Sequence, residues 1–288
     1  MIRVCISGLG KTGKEIAKVL LEQEDIKLVS AICSPSSDKK GKDLGEVLGN
    51  GDTGIIIEGS DNLEKIIFRT RPDIVVDFSN PEAAVRNARI FAKMKVNIVI
   101  GTTGFSKIGL RRLFVLANKY RNGIVYAPNI TLGVNVLMLL SNLAANILNN
   151  YDFQITEIHH RNKKDSPSGT AKKIVVEIEK GLAYSGNINP EIQVPITAIR
   201  AGGVVGKHDV MIIGEDDKIE ISHESFSRRA FALGALRAVR FIKGKNGYFE
   251  MNDVLNLKKV LNDYIHEDNK SFRKRYTGYL KNEEIKAL

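Results

Sequence analysis

The sequence has no tryptophan, and aromatic residues make up only 7% of its 288 residues. No stretch interleaves aromatic residues with lysine or arginine, as an RNA-binding strand does. A formal net charge of +10 would permit binding to nucleic acid, but without such stretches that class of partner is not favoured. The excess of positive charge fits anionic small molecules better.

Cysteine is also scarce. The two cysteines, Cys5 and Cys33, lie in apolar, strand-like runs, so we expect both to be buried, reduced and inert. Two such residues supply neither a disulfide framework nor a cluster of ligands, and the sequence predicts no metal site.

Long hydrophobic runs are missing as well. No apolar stretch is long enough to cross a bilayer. The first residues, MIRVCISGLG, lack the basic and then apolar organisation of a secretory signal. We therefore expect a cytoplasmic protein with no membrane partner.

Short apolar strands alternate with amphipathic helices over the first 128 residues. The strands are near-continuous runs of valine and isoleucine, which is typical of a parallel sheet covered by helices on both faces. Repeated strand–helix–strand units of this kind predict an α/β fold with a Rossmann-type doubly wound parallel sheet. The predicted strands are 2–6, 28–33, 72–78, 96–101 and 123–128, and the predicted helices are 14–21, 62–70, 82–94 and 109–121.

The rhythm changes after about residue 129. A long apolar helix, a strand and a second helix precede longer strands that are joined by tight turns, which indicates a mixed or antiparallel sheet. We predict a second α+β domain for substrate binding and oligomerisation. The predicted limits are 1–128 for the dinucleotide-binding domain with a return segment at 238–265, 129–237 for the second domain, and 266–288 for a basic tail.

Three glycines follow the first strand and open a helix in ISGLGKTG. Gly8 permits a tight turn, Gly10 lets the backbone approach a pyrophosphate, and Gly13 allows the helix to pack closely on the strand. The helix N-terminus offers free N–H groups to phosphates. A glycine-rich turn without a ligand is the alternative, but the strand–glycine–helix context favours a dinucleotide site.

An acidic residue is missing at the end of the second strand, where an Asp or Glu commonly binds the ribose 2′-hydroxyl of NAD. Cys33 occupies that place. Hydroxyl and ammonium groups that could instead surround a 2′-phosphate follow it, at Ser34, Ser36, Ser37, Lys39 and Lys40. The predicted cofactor is NADPH or NADH, with NADPH used at least as well as NADH.

Three further strand ends carry small or hydroxyl residues, in VDFSNP (76–81), GTTGF (101–105) and YAPN (126–129). Ligands bind at the carboxyl ends of the strands in such sheets. Phe78 could equally be a core residue. With the glycine turn, these ends predict cofactor contacts from Ser7, Gly8, Leu9, Gly10, Lys11, Thr12, Gly13, Ser34, Phe78, Gly101, Thr102, Thr103, Ala127, Pro128, Asn129 and Ile130.

Two of the five histidines are adjacent, in EIHHRNKKDSPSGTA (157–171). Alone, such a pair would more often be a solvated loop. Here it occurs in order with VDFSNP, GTTGF, APNITLGVNVL, RAGGVVGKHDV and SRRAFALGALRA. With these motifs the sequence resembles the 4-hydroxy-tetrahydrodipicolinate reductase (dihydrodipicolinate reductase) family from residue 2 to about residue 257.

The resemblance implies a role for each residue of this loop. It implies that His159 is the proton donor and acceptor, that Lys163 is a catalytic lysine, and that His160 binds substrate. It also implies that Gly169 and Thr170 bind a substrate carboxylate. Cations and a helix N-terminus suit a dianion, and a histidine suits proton delivery near neutral pH.

The resemblance further implies an NAD(P)H-dependent oxidoreductase of lysine and diaminopimelate biosynthesis. Its expected substrate is a small cyclic imine with two carboxylates, bound in a cleft between the two domains, and its expected assembly is a homotetramer. His159 and His160 point to opposite faces of a strand, so both can serve one cleft only where the strand ends.

The chain departs from the family pattern in three places. Ser7 and Thr12 replace a glycine and a methionine of the usual turn, and Cys33 ends the second strand. The tail has no counterpart and is either a solvated helix or a contact with another subunit or an anionic partner.

The remaining histidines are less informative. His208 could orient a loop near the cleft or cap a strand, whereas we expect His223 and His266 on the surface.

Two other functions compete with the reductase. A related amino-acid dehydrogenase that acts on an open-chain amine would be expected to lack the HHRNKKDSPSGT loop. A non-catalytic protein that binds nucleotide or nucleic acid would have no use for an intact acid/base loop, and its binding to nucleic acid would depend on salt.

Overall fold

The computed structural model describes residues 1–184 and 193–267. The chain divides into two units, one over Met1–Met251 and one that begins at Asn252. The elements of the first half are β1 (Ile2–Ser7), α1 (Lys11–Leu21), β2 (Ile26–Cys33), α2 (Leu44–Leu48), β3 (Ile57–Gly59), α3 (Leu63–Thr70), β4 (Ile74–Asp77), α4 (Pro81–Lys93), β5 (Asn97–Ile100), α5 (Lys107–Tyr120) and β6 (Gly123–Tyr126).

The second half of the chain begins with a long helix. Its elements are α6 (Leu132–Ile147), β7 (Asp152–His159), α7 (Gly169–Tyr184), β8 (Ile196–Arg200), β9 (Gly206–Ile213), β10 (Lys218–Ser225), α8 (Arg229–Ile242), β11 (Gly247–Phe249), α9 (Met251–Leu255) and α10 (Leu257–Glu267). Within the described ranges, no helix is long and apolar enough to span a membrane.

The first sheet has seven strands in the order β11-β6-β5-β4-β1-β2-β3, and every pairing in it is parallel. The central strands are apolar because both faces are covered; β4 and β5 are buried at every residue. The helices α3, α4 and α5 pack in one layer, and α1 and α8 pack against each other in another. The predicted Rossmann-type sheet is confirmed, and its strand order reverses between β1 and β4, where ligands bind in this fold.

The second sheet has four strands in the order β10-β9-β7-β8. The pairs β7–β9 and β9–β10 are antiparallel and the pair β7–β8 is parallel, which confirms the predicted mixed sheet. The helices α6 and α7 cover one face, where Phe153 and Ile155 of β7 pack in a core with Ile174 and Ile178. Side chains alternate along β7, so the buried row continues from Phe153 and Ile155 to Glu157 and His159.

Four short elements, α2, β3, β11 and α9, were not predicted. Each has five residues or fewer, too few for a hydrophobic period to be recognised. Of the longer strands predicted for the second domain, β8 is shorter than expected, with five residues. The helix α8 packs on α1 and on β4, β5 and β6, so the chain returns to the first sheet from Arg229 onward.

The domain limits stay a prediction. The basic stretch at 270–281 lies outside the described residues, as does the side chain of His266.

Candidate active site

The glycine turn after β1 has the geometry that a dinucleotide requires. Gly8 has a φ of +91°, and a Cβ there would lie 2.6 Å from the Phe78 carbonyl. A Cβ at Gly13 would collide with the Gly8 carbonyl oxygen. In contrast, no heavy atom of the described residues lies within 4 Å of the Cβ position at Gly10. Two glycines are therefore explained by packing, and the third faces open space at the N-terminus of α1, where a pyrophosphate would bind.

Asp77 organises this end of the sheet, although it was not predicted as a site residue. It ends β4 and is only 1% exposed. Its Oδ2 accepts a hydrogen bond from Ser7 Oγ (2.8 Å), and its Oδ1 accepts from Ser79 N (3.1 Å), Ser79 Oγ (2.7 Å) and Thr102 Oγ1 (3.2 Å). One buried carboxylate thus joins the ends of β1, β4 and β5. Burial raises the pKa of Asp77, and these hydrogen bonds oppose that rise.

The contacts of Asp77 explain a departure from the family pattern. Ser7, which stands where the family usually has a glycine, is 1% exposed and its hydroxyl is bound to Asp77. Thr102 is also buried. These two side chains therefore shape the loops, and their backbone is what a cofactor could contact.

The other predicted cofactor residues lie at the same edge of the sheet but differ in exposure. Phe78 is half-buried, and its ring lies where a Cβ of Gly101 would be, so it is neither a full core residue nor a free surface residue. Leu9, Ala127 and Ile130 are buried. The remaining members are at least partly accessible: Lys11, Thr12, Ser34, Thr103, Pro128 and Asn129.

The end of β2 carries the basic loop expected near a 2′-phosphate. Cys33 is 6% exposed; burial raises the pKa of its thiol, while Lys40 and Lys39 nearby oppose the rise. Lys39 pairs with Asp38 and Lys40 with Asp61, each at 3.2 Å. Both lysines are thus close to the strand end and neutralised by surface carboxylates.

At the other end of the site, β7 delivers Glu157 and His159 to the same buried face. His159 is 7% exposed and Glu157 is fully buried. His159 Nδ1 lies 2.6 Å from Glu157 Oε2, and a Cβ at Gly206 would lie 3.0 Å from His159 Nε2. Burial lowers the pKa of His159; the Glu157 charge opposes this, and Lys163 and Arg200 add to it.

His208 completes this cluster from the neighbouring strand. It stands opposite Glu157 in the β7–β9 register, and its ring centroid is 5.1 Å from that of His159. Its Nε2 lies 3.5 Å from Ser168 Oγ. Burial lowers the pKa of His208 to about 4, and the charge of His159 acts in the same direction. Of the two readings left open, the structure places His208 beside the predicted proton donor.

The side chains of Glu157, His159 and His208 are spaced closely enough to hold a cation, but a neighbouring positive charge disfavours one. The ligand atoms of Glu157, His159 and His208 lie within 4.8 Å of one another. Arg200 Nη2 donates to Glu157 Oε1 at 2.8 Å, and a guanidinium at that distance opposes a second cation. We therefore interpret the cluster as one that handles protons.

The N-terminus of α7 faces this cluster and the nucleotide end together. Ser168 Oγ accepts from Ala171 N (3.1 Å) and caps the helix. Thr170 Oγ1 donates to Asn129 Oδ1 (2.7 Å), which joins the predicted carboxylate-binding pair to the loop after β6. The loop 160–168 is therefore held at the carboxyl ends of the first sheet.

The other two loop residues are more accessible. Lys163 is about one quarter exposed and its Nζ lies 2.7 Å from Asp165 Oδ1. His160 is half-buried, and its carbonyl accepts from Lys163 N (3.0 Å) in a turn. A turn therefore follows β7 directly, which is the condition expected above if the adjacent histidines are to serve one cleft.

His223 is not a surface residue as expected. It is half-buried and stands opposite His208 in the β9–β10 register. Its ring packs where a Cβ of Gly133 would be, at 2.6 Å. The prediction failed because the partner, α6, is remote in sequence.

Besides Asp77, sequence reasoning missed Glu157, Ser168 and Arg200. Glu157 had a usable signal, since it continues the inward-facing row of its strand after Phe153 and Ile155. Arg200 had none, because its place beside His159 depends on the β7–β8 register.

Comparison with known proteins agrees with this geometry. A dinucleotide-binding sheet whose strand ends meet a histidine- and lysine-bearing loop is typical of oxidoreductases that use a pyridine nucleotide, and the chain is of this class. The family models for the N-terminus and C-terminus of dihydrodipicolinate reductase match residues 2–130 and 133–255. The chain therefore belongs to the dihydrodipicolinate reductase family.

Curated relatives named 4-hydroxy-tetrahydrodipicolinate reductase are similar over most of their length. The protein from Methanococcus aeolicus is 38% identical over 273 residues, covering 90% of this chain and all of the relative. The protein from Methanopyrus kandleri is 40% identical over 268 residues, covering 88% of this chain and 97% of the relative.

Solved structures show the same fold. A dipicolinate-bound dihydrodipicolinate reductase from Paenisporosarcina sp. TG-14 has a TM-score of 0.70 and 27% identity, covering 87% of this chain and 97% of that one. An amine dehydrogenase from Mycobacterium smegmatis has a TM-score of 0.63 over 86% and 94% of the two chains, but at 18% identity it shares the fold alone.

Proposed function

We propose that this protein reduces 4-hydroxy-tetrahydrodipicolinate to tetrahydrodipicolinate with NADPH or NADH, a cytoplasmic step of lysine and diaminopimelate biosynthesis. The hydrogen bond between Thr170 and Asn129 carries the proposal. It holds the anion-binding end of α7, and with it the histidine loop, next to the strand ends that would bind the nucleotide.

The residues at the ends of β1, β4, β5 and β6 fit a dinucleotide. Gly10 has open space at its Cβ position, and the free N–H groups of α1 would face the pyrophosphate. Asp77 holds these loops together. A nicotinamide nucleotide supplies a hydride when bound; the other tasks fall to the protein.

The substrate is a dianion, and the loop offers it complementary groups. The N–H groups of Gly169 and Thr170 at the start of α7 suit one carboxylate, since a helix N-terminus carries partial positive charge. For the rest of the substrate ring, Lys163 offers an accessible ammonium group and His160 an accessible hydrogen-bonding group. Lys163 would exchange its partner Asp165 for the substrate or act as a second acid.

His159 supplies the proton. Overall the ring loses water, its hydroxyl leaving together with one ring hydrogen, and it gains a hydride and a proton. The carbon next to the hydride acceptor takes its proton from His159 Nε2, which faces the space left by Gly206. Its enclosure limits competing water, and proton transfer by a positioned side chain typically contributes about 10²–10⁴-fold in rate.

The test is oxidation of NADPH and of NADH at 340 nm with freshly generated cyclic substrate. We expect turnover with that substrate and none with open-chain diamino acids, which are the substrates of the competing dehydrogenase. His159→Ala and Lys163→Ala should each lower kcat by about a hundredfold or more, because general acid catalysis is lost. Wild-type turnover in both variants would refute the assignment.

The same assay tests cofactor choice. We propose that NADPH is used at least as well as NADH, because the end of β2 has Cys33 instead of an acid and carries Lys39 and Lys40 nearby. A preference for NADH of about tenfold or more in kcat/KM, equivalent to roughly 1.4 kcal/mol, would contradict this.

We propose, finally, that the protein is a homotetramer that pairs the outer face of its second sheet. That face is opposite α6 and α7 and presents Ile199 (39% exposed) and Ile213 (40% exposed). Ile199→Asp should dissociate the assembly in analytical ultracentrifugation, because it would bury an unpaired charge. Val176→Asp, at an equally exposed position on α7 (40%), is the matched control. A monomeric wild-type protein would exclude the proposal.

A further inference from the structure

Glu157 is a buried carboxylate that the binding and proton-transfer roles above leave unused. Its side chain has no exposed surface. Its Oε1 accepts from Ser168 N at 2.9 Å and from Arg200 Nη2 at 2.8 Å. Its Oε2 lies 2.6 Å from His159 Nδ1. Among the described residues, neither Oε2 nor Nδ1 makes a hydrogen bond of regular geometry, so this charge contact is the close polar approach that each of them has.

We propose that Glu157 is a positioning residue that sets the tautomer of His159 with one oxygen and anchors the carboxylate-binding end of α7 with the other. The proposal rests on the proposed function, in which His159 is the proton donor.

The tautomer follows from charge. Burial alone would raise the pKa of Glu157, but the hydrogen bonds from Arg200 and Ser168 outweigh it and keep the pKa below its ordinary value. Glu157 is therefore ionised near neutral pH. A carboxylate beside Nδ1 favours a proton on that nitrogen, so Nε2 is the atom that releases and regains the transferred proton. Nε2 is also the atom beside Gly206.

The charged and titratable groups around His159 come from β7, β8, β9 and the loop after β7. Glu157 on β7 is the anion beside it, whereas Lys163 in the loop, Arg200 on β8 and His208 on β9 are cationic or neutral. Of the named contributors, burial and the two cations lower the pKa of His159, and Glu157 raises it. Removing the Glu157 charge should therefore weaken the imidazolium and leave less acid available at a given pH.

The second oxygen links proton transfer to substrate binding. Ser168 immediately precedes Gly169 and Thr170, and its N–H is held by Glu157 Oε1. One side chain therefore determines both where the helix N-terminus lies and how the imidazole is turned. A glutamine would keep an oxygen for Ser168 N–H and lose the charge, whereas an alanine would lose both.

The experiment combines kinetics with an NMR titration of the free enzyme labelled with ¹⁵N-histidine. In Glu157→Gln we expect kcat at pH 7.5 to fall about tenfold to a hundredfold, with KM for substrate within about threefold. The alkaline limb of the kcat–pH profile and the His159 titration should both move to lower pH. Glu157→Ala should in addition raise KM, and Glu157→Asp should restore part of the wild-type profile because it restores the charge.

The matched control is Glu177→Gln. Glu177 on α7 is also an ion-paired and largely buried carboxylate, bound to Lys173 and Lys180, but it has no contact with His159 among the described pairs. It should move neither the profile nor the titration. A shift of equal size in this variant would overturn the proposal, because the effect would then be structural.

Two outcomes separate this proposal from the proposed function. If His159→Gln abolishes turnover while Glu157→Gln leaves the pH profile unchanged, the positioning role is wrong and the function stands. If His159→Gln retains turnover, the proton-donor assignment fails. The NMR spectrum of the labelled wild-type enzyme is a further test. Neutral His159 should carry its proton on Nδ1, and the opposite tautomer would overturn the proposal.

Discussion

At the scale of single residues, the space beside the His159 imidazole is defined by a missing side chain. Gly206 begins β9, and a Cβ at this position would lie 3.0 Å from Nε2. A side chain at residue 206 would occupy the space beside Nε2 that the substrate carbon needs in order to receive its proton. The space beside Nε2 therefore requires a glycine at this position. Backbone conformation does not, since its φ is not in the left-handed region.

Gly206→Ala is expected to fold and to lower kcat by about tenfold. A Cβ would lie 3.0 Å from Nε2, so the ring must move by a few tenths of an ångström, and small misplacements of a catalytic group are costly. Steady-state kinetics measures the effect, with KM for the nucleotide unchanged. The control is Gly203→Ala in the preceding loop, where no described heavy atom lies within 4 Å of the Cβ position. Equal kcat values for the two variants would count against the assigned role of Nε2.

At the scale of elements, the N-terminus of α7 is built by local and remote contacts together. Ser168 caps the helix through Ala171 N, which the pattern S-G-T-A before an amphipathic run already suggests. The position of that cap in the molecule, however, depends on Glu157 and on Asn129.

Ser168→Ala should lower the free energy of unfolding by about 1 kcal/mol, the usual cost of losing an N-cap, and should raise KM for substrate. Ser106→Ala is the matched control, because Ser106 Oγ caps α5 in the same way by accepting from Gly109 N at 3.1 Å. Urea unfolding should show similar losses for both variants, and only Ser168→Ala should change KM. A change in KM for both would mean that stability alone explains it.

Elements were predicted unequally for a physical reason. The long strands and helices carry a hydrophobic period that their own residues reveal. In contrast, β3 and β11 are three-residue strands at the two edges of the first sheet. They form because a neighbouring strand offers hydrogen-bonding groups, and that neighbour is remote in sequence.

At the scale of the whole molecule, the buried histidines couple stability to pH. The pKa of His208 is lowered to about 4, first because of burial, whereas in the unfolded chain it would be near 6.5. As pH falls through the unfolded value, the unfolded chain binds a proton that the folded chain does not bind. Stability is therefore lost progressively from about pH 6.5 down to pH 4.

His208→Gln should reduce this loss of stability, because a glutamine binds no proton in the unfolded chain. The measurement is the urea midpoint at several pH values between 7.5 and 4.5. The slope should become less steep without vanishing, since burial also lowers the pKa of His159 and of His223. Parallel curves for the variant and the wild type would contradict the prediction.

Several features of the protein follow from the sequence by itself. Local patterns predict the doubly wound sheet, the mixed second sheet and the glycine turn. These patterns are the period of apolar residues, the position of glycines and the order of motifs. The same is true of the histidine loop, whose residues are adjacent in the chain.

The tertiary structure alone decided which donors hold the two buried carboxylates. The partners of Asp77 and Glu157 cannot be read from their own strands, because Ser7, Thr102, Ser168 and Arg200 come from other parts of the chain. A buried charge is acceptable only where donors converge on it, and convergence depends on strand register and helix packing. For this reason the sequence predicts a proton donor, while the contacts that would keep Glu157 charged beside it become visible only when the sheet is assembled.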